Sequence, residues 1–203
     1  FMILLASTDL IMVGALGALS IAAVSIFLQP RLILLCFSRS LASSVTLLVS
    51  KKAGAGDTAG SADIMKKSLT LCAIFMGLLH ILFYIFLDDI FYLMGANDEY
   101  MAEAMAYGPI ALASVYVTSL TLILQAVQLG YGRTSVIMKT NVCGNVVNLA
   151  LNALLIFGFG PIPSLGVTGA AIGTLVSTVF TLGWTAWILK NESFFSGGSY
   201  LPD

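Results

Sequence analysis

Charge is what this chain has least of. Asp, Glu, Lys and Arg make up 9% of its 203 residues, against about 25% in an ordinary soluble domain. That scarcity excludes a water-soluble globule, and the lack of any basic patch speaks against nucleic acid as a partner. Histidine occurs once, at His80. Alone on an apolar segment, it reads as a packed or hydrogen-bonded residue rather than a proton relay. Cys36, Cys72 and Cys143 are odd in number and lie inside apolar stretches. They read as small buried apolar residues, not as disulfides or metal ligands. No nucleophile–base set, HExxH, P-loop or haem signature occurs. An enzyme is therefore the least supported class, no cofactor is expected, and an ATP-driven pump would need a nucleotide domain that these residues do not provide.

Apolar sequence takes the place of charge. Hydrophobic residues are 59% of the chain and mean hydropathy is +0.99. In lipid only helices or closed barrels satisfy the backbone. The apolar segments are long, continuous and rich in Leu, Ala and Ile, so the expected fold is all-α, a polytopic membrane helix bundle. Six segments stand out, at 1–14, 19–50, 68–93, 106–130, 136–158 and 166–189. The first is shorter than the ~20 residues a span needs and begins at Phe1 without a charged flank. A truncated first helix is expected, in a fragment or trimmed domain. It is not a signal peptide, because no basic stretch precedes it and Asp9 interrupts it.

The few charges are ordered. Lys51, Lys52, Lys66 and Lys67 fill one gap, Arg133 and Lys139 the next but one, and Lys190 follows the last apolar run. The intervening gaps hold Asp88, Asp89, Asp98, Glu99 and Glu103, or no charge at all. This is the positive-inside pattern. It puts the loops at 51–67 and 130–139 in the cytoplasm, the connections at 14–17, 94–105 and 158–165 outside, and the carboxy-terminal end inside. The second segment, about 48 Å long as a straight helix, is too long for a simple span, and a kink is expected at Pro30. Its Ser38–Ser44 stretch is expected to line protein rather than lipid.

Polar residues inside the apolar segments are the functional candidates. A carboxylate in a span is costly and marks an ion or proton pathway, which singles out Asp9, although Gly14 is near enough to make it a helix-end acid instead. Asn141, Asn145, Asn148 and Asn152 are spaced 4, 3 and 4 apart, within about 60° of one helix face. Such a stripe faces either a partner helix, as hydrogen-bonding glue, or a water-filled cavity. Depth narrows the set. Asp9 lies about 7 Å below the outward turn and Asn152 is similarly placed, with Asn148 about 6 Å deeper and Thr174 about 12 Å in. One carboxylate, two amides and a hydroxyl are thus expected to share one layer of the outer leaflet, which sequence alone does not bring into contact. They are hard oxygen donors fit for an alkali cation, and the carboxylate alone suits a proton. No other metal site is expected. Gln125 and Gln128 stand at the wrong depth for this layer. Gly166, Gly169, Ala170, Gly173 and Ser177 are small residues at helical spacing, which read as close helix packing. Arg31 and Arg39 either line a cavity or anchor a kinked helix, with Arg39 alternatively reaching the inner surface.

Five strings carry a family resemblance. Thr8-Asp-Leu-Ile-Met-Val-Gly14-Ala-Leu-Gly17 resembles the "D-x-x-M-V-G-x-L-G" end of the first helix of MATE (multidrug and toxic compound extrusion) transporters. Ala53-Gly-Ala-Gly-Asp57 resembles their "G-A-G-D", and Leu93-Met-Gly-Ala96 their "l-m-G-A". The run from Val147 to Gly158 is similar to "L-N-x-x-L-[DN]-x-x-L-I-F-G", and Gly166 to Thr174 to "G-x-x-G-A-A-x-A-T". In order and in spacing they cover the chain, but they match only the amino-terminal half of a family with twelve helices in two lobes. The resemblance implies that residues 1–190 are one six-helix lobe and 191–203 the cytoplasmic inter-lobe linker.

It also implies a function. Such a protein is a secondary antiporter in the plasma (inner) membrane, exporting organic, usually cationic, compounds in exchange for H⁺ or Na⁺. Its partners would be a small-molecule substrate, the bilayer and the missing carboxy-terminal lobe. The family's proton or Na⁺ site in this lobe matches Asp9, its polar partners Asn148 and Asn152, and its sixth-helix threonine Thr174. The chain departs from the pattern with Asn152 where some members have Asp, Lys51 where many have Gln, and Leu129 in place of an Arg. Arg31 and Arg39 fit an anionic substrate better, as in lipid-linked oligosaccharide flippases, which is the alternative reading. A non-transporting membrane scaffold, in which the Asn stripe only glues helices, is the other.

Overall fold

The computed structural model describes residues 12–158 and 163–191. Residues 12–14 end a helix that turns at 15–17. Seven helices follow: α1 (Ala18–Ile26), α2 (Leu28–Gly54), α3 (Thr58–Ile85), α4 (Leu87–Leu93), α5 (Asp98–Gly130), α6 (Thr134–Phe157) and α7 (Gly166–Asn191). Five stretches among the described residues are long and apolar enough to cross a membrane: α1 with α2, α3, α5, α6 and α7. They correspond to the second to sixth segments of the sequence. Most of the first segment, and residues 192–203 of the expected linker, lie outside the described residues.

The kink in the second segment falls at Phe27, three residues before Pro30. Phe27 N–H reaches back to Val24 O (3.2 Å), and Arg31 N–H restarts the ladder on Phe27 O (3.1 Å). Pro30 brings no N–H to the preceding turn, so the break opens upstream of it. The third segment begins at Thr58, not at 68, and the fourth at Asp98, not at 106. The expected loop at 51–67 is therefore mostly helix, with only 55–57 between α2 and α3.

Cap chemistry explains those starts. The Asp57 side chain accepts a hydrogen bond from Gly60 N–H (2.7 Å), as an N-cap does. Asp98 and Glu99 occupy the first turn of α5, where the helix dipole favours acids. Two turns at the basic end close alike. Gly56 and Gly132 both adopt φ 72°, while Asp57 N–H bonds Lys52 O and Arg133 N–H bonds Gln128 O, each at 2.9 Å. This is the Schellman closure, which needs a left-handed residue and so glycine.

α5 is the central helix, packed on α1, α2, α3 and α7, while α6 packs chiefly on α7. The main core joins Leu34 and Val49 of α2, Met65, Cys72 and Met76 of α3, and Ala111, Ile123 and Val127 of α5. A second cluster of Val13, Val24, Ile156, Val167 and Ala170 lies at the acidic end. The outer faces are apolar too, with Leu71, Ile74 and Leu78 of α3 and Val179 and Trp187 of α7 exposed, as a bilayer demands.

Three expectations about individual side chains need correction. Cys72 is buried, but Cys143 is half-buried and Cys36 is exposed, because Cys36 falls on the open face of α2. Ser38 is buried and donates to Ser119 Oγ (2.7 Å). Ser40, Ser43 and Ser44, by contrast, are exposed, and the latter two return their hydroxyls to Arg39 O and Ser40 O of their own helix. Lys66 is 5% exposed within α3 rather than on a loop.

Candidate functional site

The α6–α7 seam closes over glycine. A Cβ at Gly169 would stand 2.5 Å from the Leu155 carbonyl oxygen, and one at Gly173 would meet Asn152 Oδ1. A Cβ at Gly144, one helix across, would meet Thr181 Oγ1. These contacts fix the register of α6 on α7, and that register turns the asparagine stripe inward. The small-residue reading of the sixth segment holds.

Within the seam the amides form a ladder. Asn152 Nδ2 donates to Asn148 Oδ1 (3.4 Å), Asn148 Nδ2 donates to Thr174 Oγ1 (3.3 Å), and Thr174 Oγ1 donates to Ala170 O (2.9 Å). Asn152 is 1% exposed and Asn148 9%. Three of the four residues expected to share a layer thus meet. Asp9, the fourth, lies outside the described residues.

The other candidates are placed elsewhere. Asn141 accepts from Gln125 Nε2 (2.7 Å), tying α6 to α5 about 10 Å along the helix from Asn148. Asn145 is half-buried between the two levels. Arg31 and Arg39 are exposed on α2, which packs chiefly on α1, α3 and α5. They stand apart from the ladder, and neither has a carboxylate partner among the described residues. His80 is buried, its Nδ1 2.7 Å from Met76 O.

One element of the site escaped the sequence reading. A cavity of about 430 Å³ at the acidic end is lined by Leu16, Ser20, Glu103, Ile156, Gly166 and Thr168, among others. Buried Ser20 donates to Glu103 Oε2 (2.8 Å). Ile156 is one turn beyond Asn152, so the cavity lies about 6 Å above the ladder. Starting the fourth segment at 106 leaves Glu103 in a loop. The first-turn acids Asp98 and Glu99 are the signal that brings it onto a helix.

The comparisons with known proteins place the chain in a family. A family model described as MatE matches residues 1–154. The chain belongs to the MatE family. Its members are transporters, not enzymes. Among curated relatives, a "Probable multidrug resistance protein NorM" of Rhizobium meliloti is 28% identical over 182 residues, 88% of this chain and 39% of that protein. An "FAD transporter" of Shewanella oneidensis is 28% identical over 187 residues, 89% of this chain and 40% of that protein. Among solved structures, an outward-facing multidrug resistance MATE family transporter superposes with a TM-score of 0.88 at 26% identity, over 100% of this chain and 45% of that one. A Pyrococcus furiosus transporter, described as having a binding pocket whose reverse polarity suggests a different function, superposes with a TM-score of 0.87 at 26% identity, over 100% and 45%. This MatE chain therefore spans about two fifths of the curated relatives, as one lobe of a two-lobed transporter does.

Proposed function

We propose that residues 1–190 form the amino-terminal lobe, and 191–203 the linker, of a cation-coupled antiporter that exports organic cations or toxic compounds in exchange for H⁺ or Na⁺. The observation that carries this reading is the buried Asn152–Asn148–Thr174 ladder. Two amides and a hydroxyl at one depth serve helix packing and can also face a polar guest or path, and the adjoining first-helix end and cavity favour the second. The end of the first helix adjoins it. Val13 is 3% exposed and packs in one cluster with Ile156 and Ala170. In the sequence Asp9 stands four residues before Val13, the spacing of one helix face.

In this mechanism Asp9 takes up the ion and the ladder supplies neutral oxygen donors. The Glu103 cavity is the outward approach. Charging or discharging Asp9 biases the first helix between two packings against α6 and α7, and the ion drives the change only by its differential affinity for the two states. The basic end is cytoplasmic by the positive-inside rule. Transport needs the second lobe, because access alternates between two halves.

An anionic substrate is the second reading. Exposed Arg31 and Arg39 on α2 favour it, and one relative is named an FAD transporter. The test is efflux of a fluorescent cationic dye from cells carrying the full-length gene, wild type against Asp9→Asn, with H⁺ and Na⁺ gradients collapsed in turn. Efflux lost in the variant and tracking one gradient is expected. Coupled efflux intact in Asp9→Asn would overturn the mechanism. A well-expressed wild type inert towards cationic dyes would transfer the proposal to an anionic substrate and to Arg31 and Arg39.

A further inference from the structure

The outward cavity has one charged wall. Its volume of about 430 Å³ is that of a small-ligand site. Glu103 is the one ionisable residue in its described lining, which is otherwise built of apolar residues such as Leu16, Ile156 and Val167 and of the hydroxyl residues Ser20, Ser164 and Thr168. Ser20 is 6% exposed and donates to Glu103 Oε2 at 2.8 Å. A buried neutral donor on α1 thus holds one carboxylate oxygen without cancelling the charge. Glu103 is half-buried and has no cationic partner among the described residues. Withdrawing a carboxylate from water without a counter-charge costs stability, and one hydroxyl offsets only part of that cost.

Sign, number and size name the occupant. The sign is positive. The other charges at this end are Asp88, Asp89, Asp98 and Glu99, while the lysines sit at the opposite ends of α2, α3, α6 and α7. A mouth lined by charge of one sign gathers the other. The N-terminus of α7 opens on the same cavity at residues 166–168, but a helix end carries only about half a positive charge, too little to reverse a carboxylate. The number is one. A single carboxylate matches a single positive charge, and the described residues hold no group of three His, Cys, Asp or Glu for a multivalent ion. Size separates the remaining cations. A metal ion draws its oxygens to within about 2.6 Å, whereas Leu16, Ala106, Ile156 and Val167 give this cavity apolar wall. Such walls suit a hydrocarbon body that carries its charge at one end. We propose that the cavity receives an organic monocation on the outward side, its ammonium against the Glu103 carboxylate and its hydrocarbon body against Leu16, Ile156 and Val167. The inference rests on the export reading and adds to it Glu103 as the residue that selects charge at the outward mouth.

The experiment uses the full-length protein in lipid nanodiscs. Ser164→Cys, at an exposed lining position, is the reporter, alkylated by the neutral reagent N-ethylmaleimide. The probe is benzyltrimethylammonium, set against neutral benzyl alcohol and against Na⁺ at matched ionic strength. Peptide mass spectrometry reads the alkylation rate at position 164 and, as a control, at Cys36, which is exposed on α2. The organic cation is expected to slow alkylation at 164 saturably and to leave Cys36 unchanged, while benzyl alcohol and Na⁺ do neither. Glu103→Gln is expected to raise the half-protecting concentration about tenfold or more, the loss of one charge-assisted contact. Glu103→Asp, which keeps the charge, recovers part of it. Equal protection by benzyl alcohol or Na⁺, or protection unchanged in Glu103→Gln, would overturn the proposal. The three probes on the reporter alone keep the test decisive if Glu103→Gln fails to fold. Asp9→Asn separates this site from the coupling mechanism. Protection that persists there while coupled efflux is lost is the expected result. If protection persists and efflux stays coupled, the mechanism falls and the site stands. If protection disappears in Asp9→Asn, the probe was held at Asp9 and the site falls.

Discussion

Two helix seams in this bundle are built on opposite plans. The α6–α7 seam closes until backbone nearly touches backbone at Gly169 and encloses polar side chains. The α3–α5 seam holds large apolar groups apart and leaves a groove beside Pro109. In a bilayer, apolar contact with a neighbouring helix is worth little more than contact with lipid, so close approach and interhelical hydrogen bonds decide pairing. The first seam has both. The second has bulk, space and a hydrogen bond from the Tyr116 hydroxyl to Ala73 O (3.2 Å), but no backbone approach as close as that at Gly169. Under the proposed function the first seam is a rigid frame for the ion path and the second tolerates looser packing, and this difference makes the comparison testable.

The largest effect is expected at the backbone contact. Gly169→Ala puts a methyl 2.5 Å from the Leu155 carbonyl oxygen, and backbone cannot step aside as a side chain does. The expected cost is about 1–3 kcal/mol, read as the thermal unfolding midpoint of the full-length protein in detergent. Gly77→Ala is the counterpart in the other seam. Its methyl would meet Tyr116 only at ordinary contact, 3.8 Å, and the expected change is within about 0.5 kcal/mol. Similar losses at both sites would break the comparison.

Asn152→Leu comes next. It deprives Asn148 Oδ1 of a donor at 3.4 Å, one turn away on the same helix, and a neutral side-chain hydrogen bond is worth about 0.5–1.5 kcal/mol. A modest loss of stability is expected, with a larger loss of ion dependence in dye efflux by the full-length protein. A change in stability with unaltered ion-dependent flux would make the ladder glue, as the scaffold reading requires. Gly173→Ala acts on the same amide from the opposite side, since its methyl would meet Asn152 Oδ1, and should show the same pattern.

Much of this was legible in the sequence, for identifiable reasons. The order of the segments followed from hydropathy, and the inward turn of the Asn stripe from its 3.6-residue period. Counting residues down from the turns put Thr174 and Asn148 at one depth, and the structure shows that they meet. The starts of α3 and α5 came out ten and eight residues late, at 68 instead of 58 and 106 instead of 98. Hydropathy sees only the hydrocarbon layer, and the polar first turns of a span look like loop. Asp57 before Gly60, and the acids at 98–99, were the better signals. The Ser20–Glu103 bond joins residues 83 apart, and no local pattern encodes such a contact. The groove beside Pro109 was hidden likewise, because two helices must part beside a proline to open it. Cys36 and Ser43 read as inward-facing residues until the helical phase of α2 showed which face is open.

The smallest effect lies outside both seams, in the turn joining α2 to α3. The Lys52 ammonium, 2.8 Å from Asp57 Oδ2, holds the Asp57 carboxyl below its usual range, and the Gly60 N–H adds to this. A depressed carboxyl stabilises the fold at pH above its unfolded value of about 3.9, and that stabilisation is lost as pH falls through the lower folded value. Both side chains are largely in solvent, 46% and 39% exposed, so salt screens the pair. Asp57→Asn keeps an oxygen to cap Gly60 N–H and removes the charge. Unfolding midpoints of wild type and variant are expected to differ slightly at neutral pH and low salt, and to converge in acid or at high salt. A gap that persists in acid would assign the residue's role to its cap geometry instead. A gap as large as that of Gly169→Ala would mean that this turn, and not the glycine seam, sets the stability of the bundle.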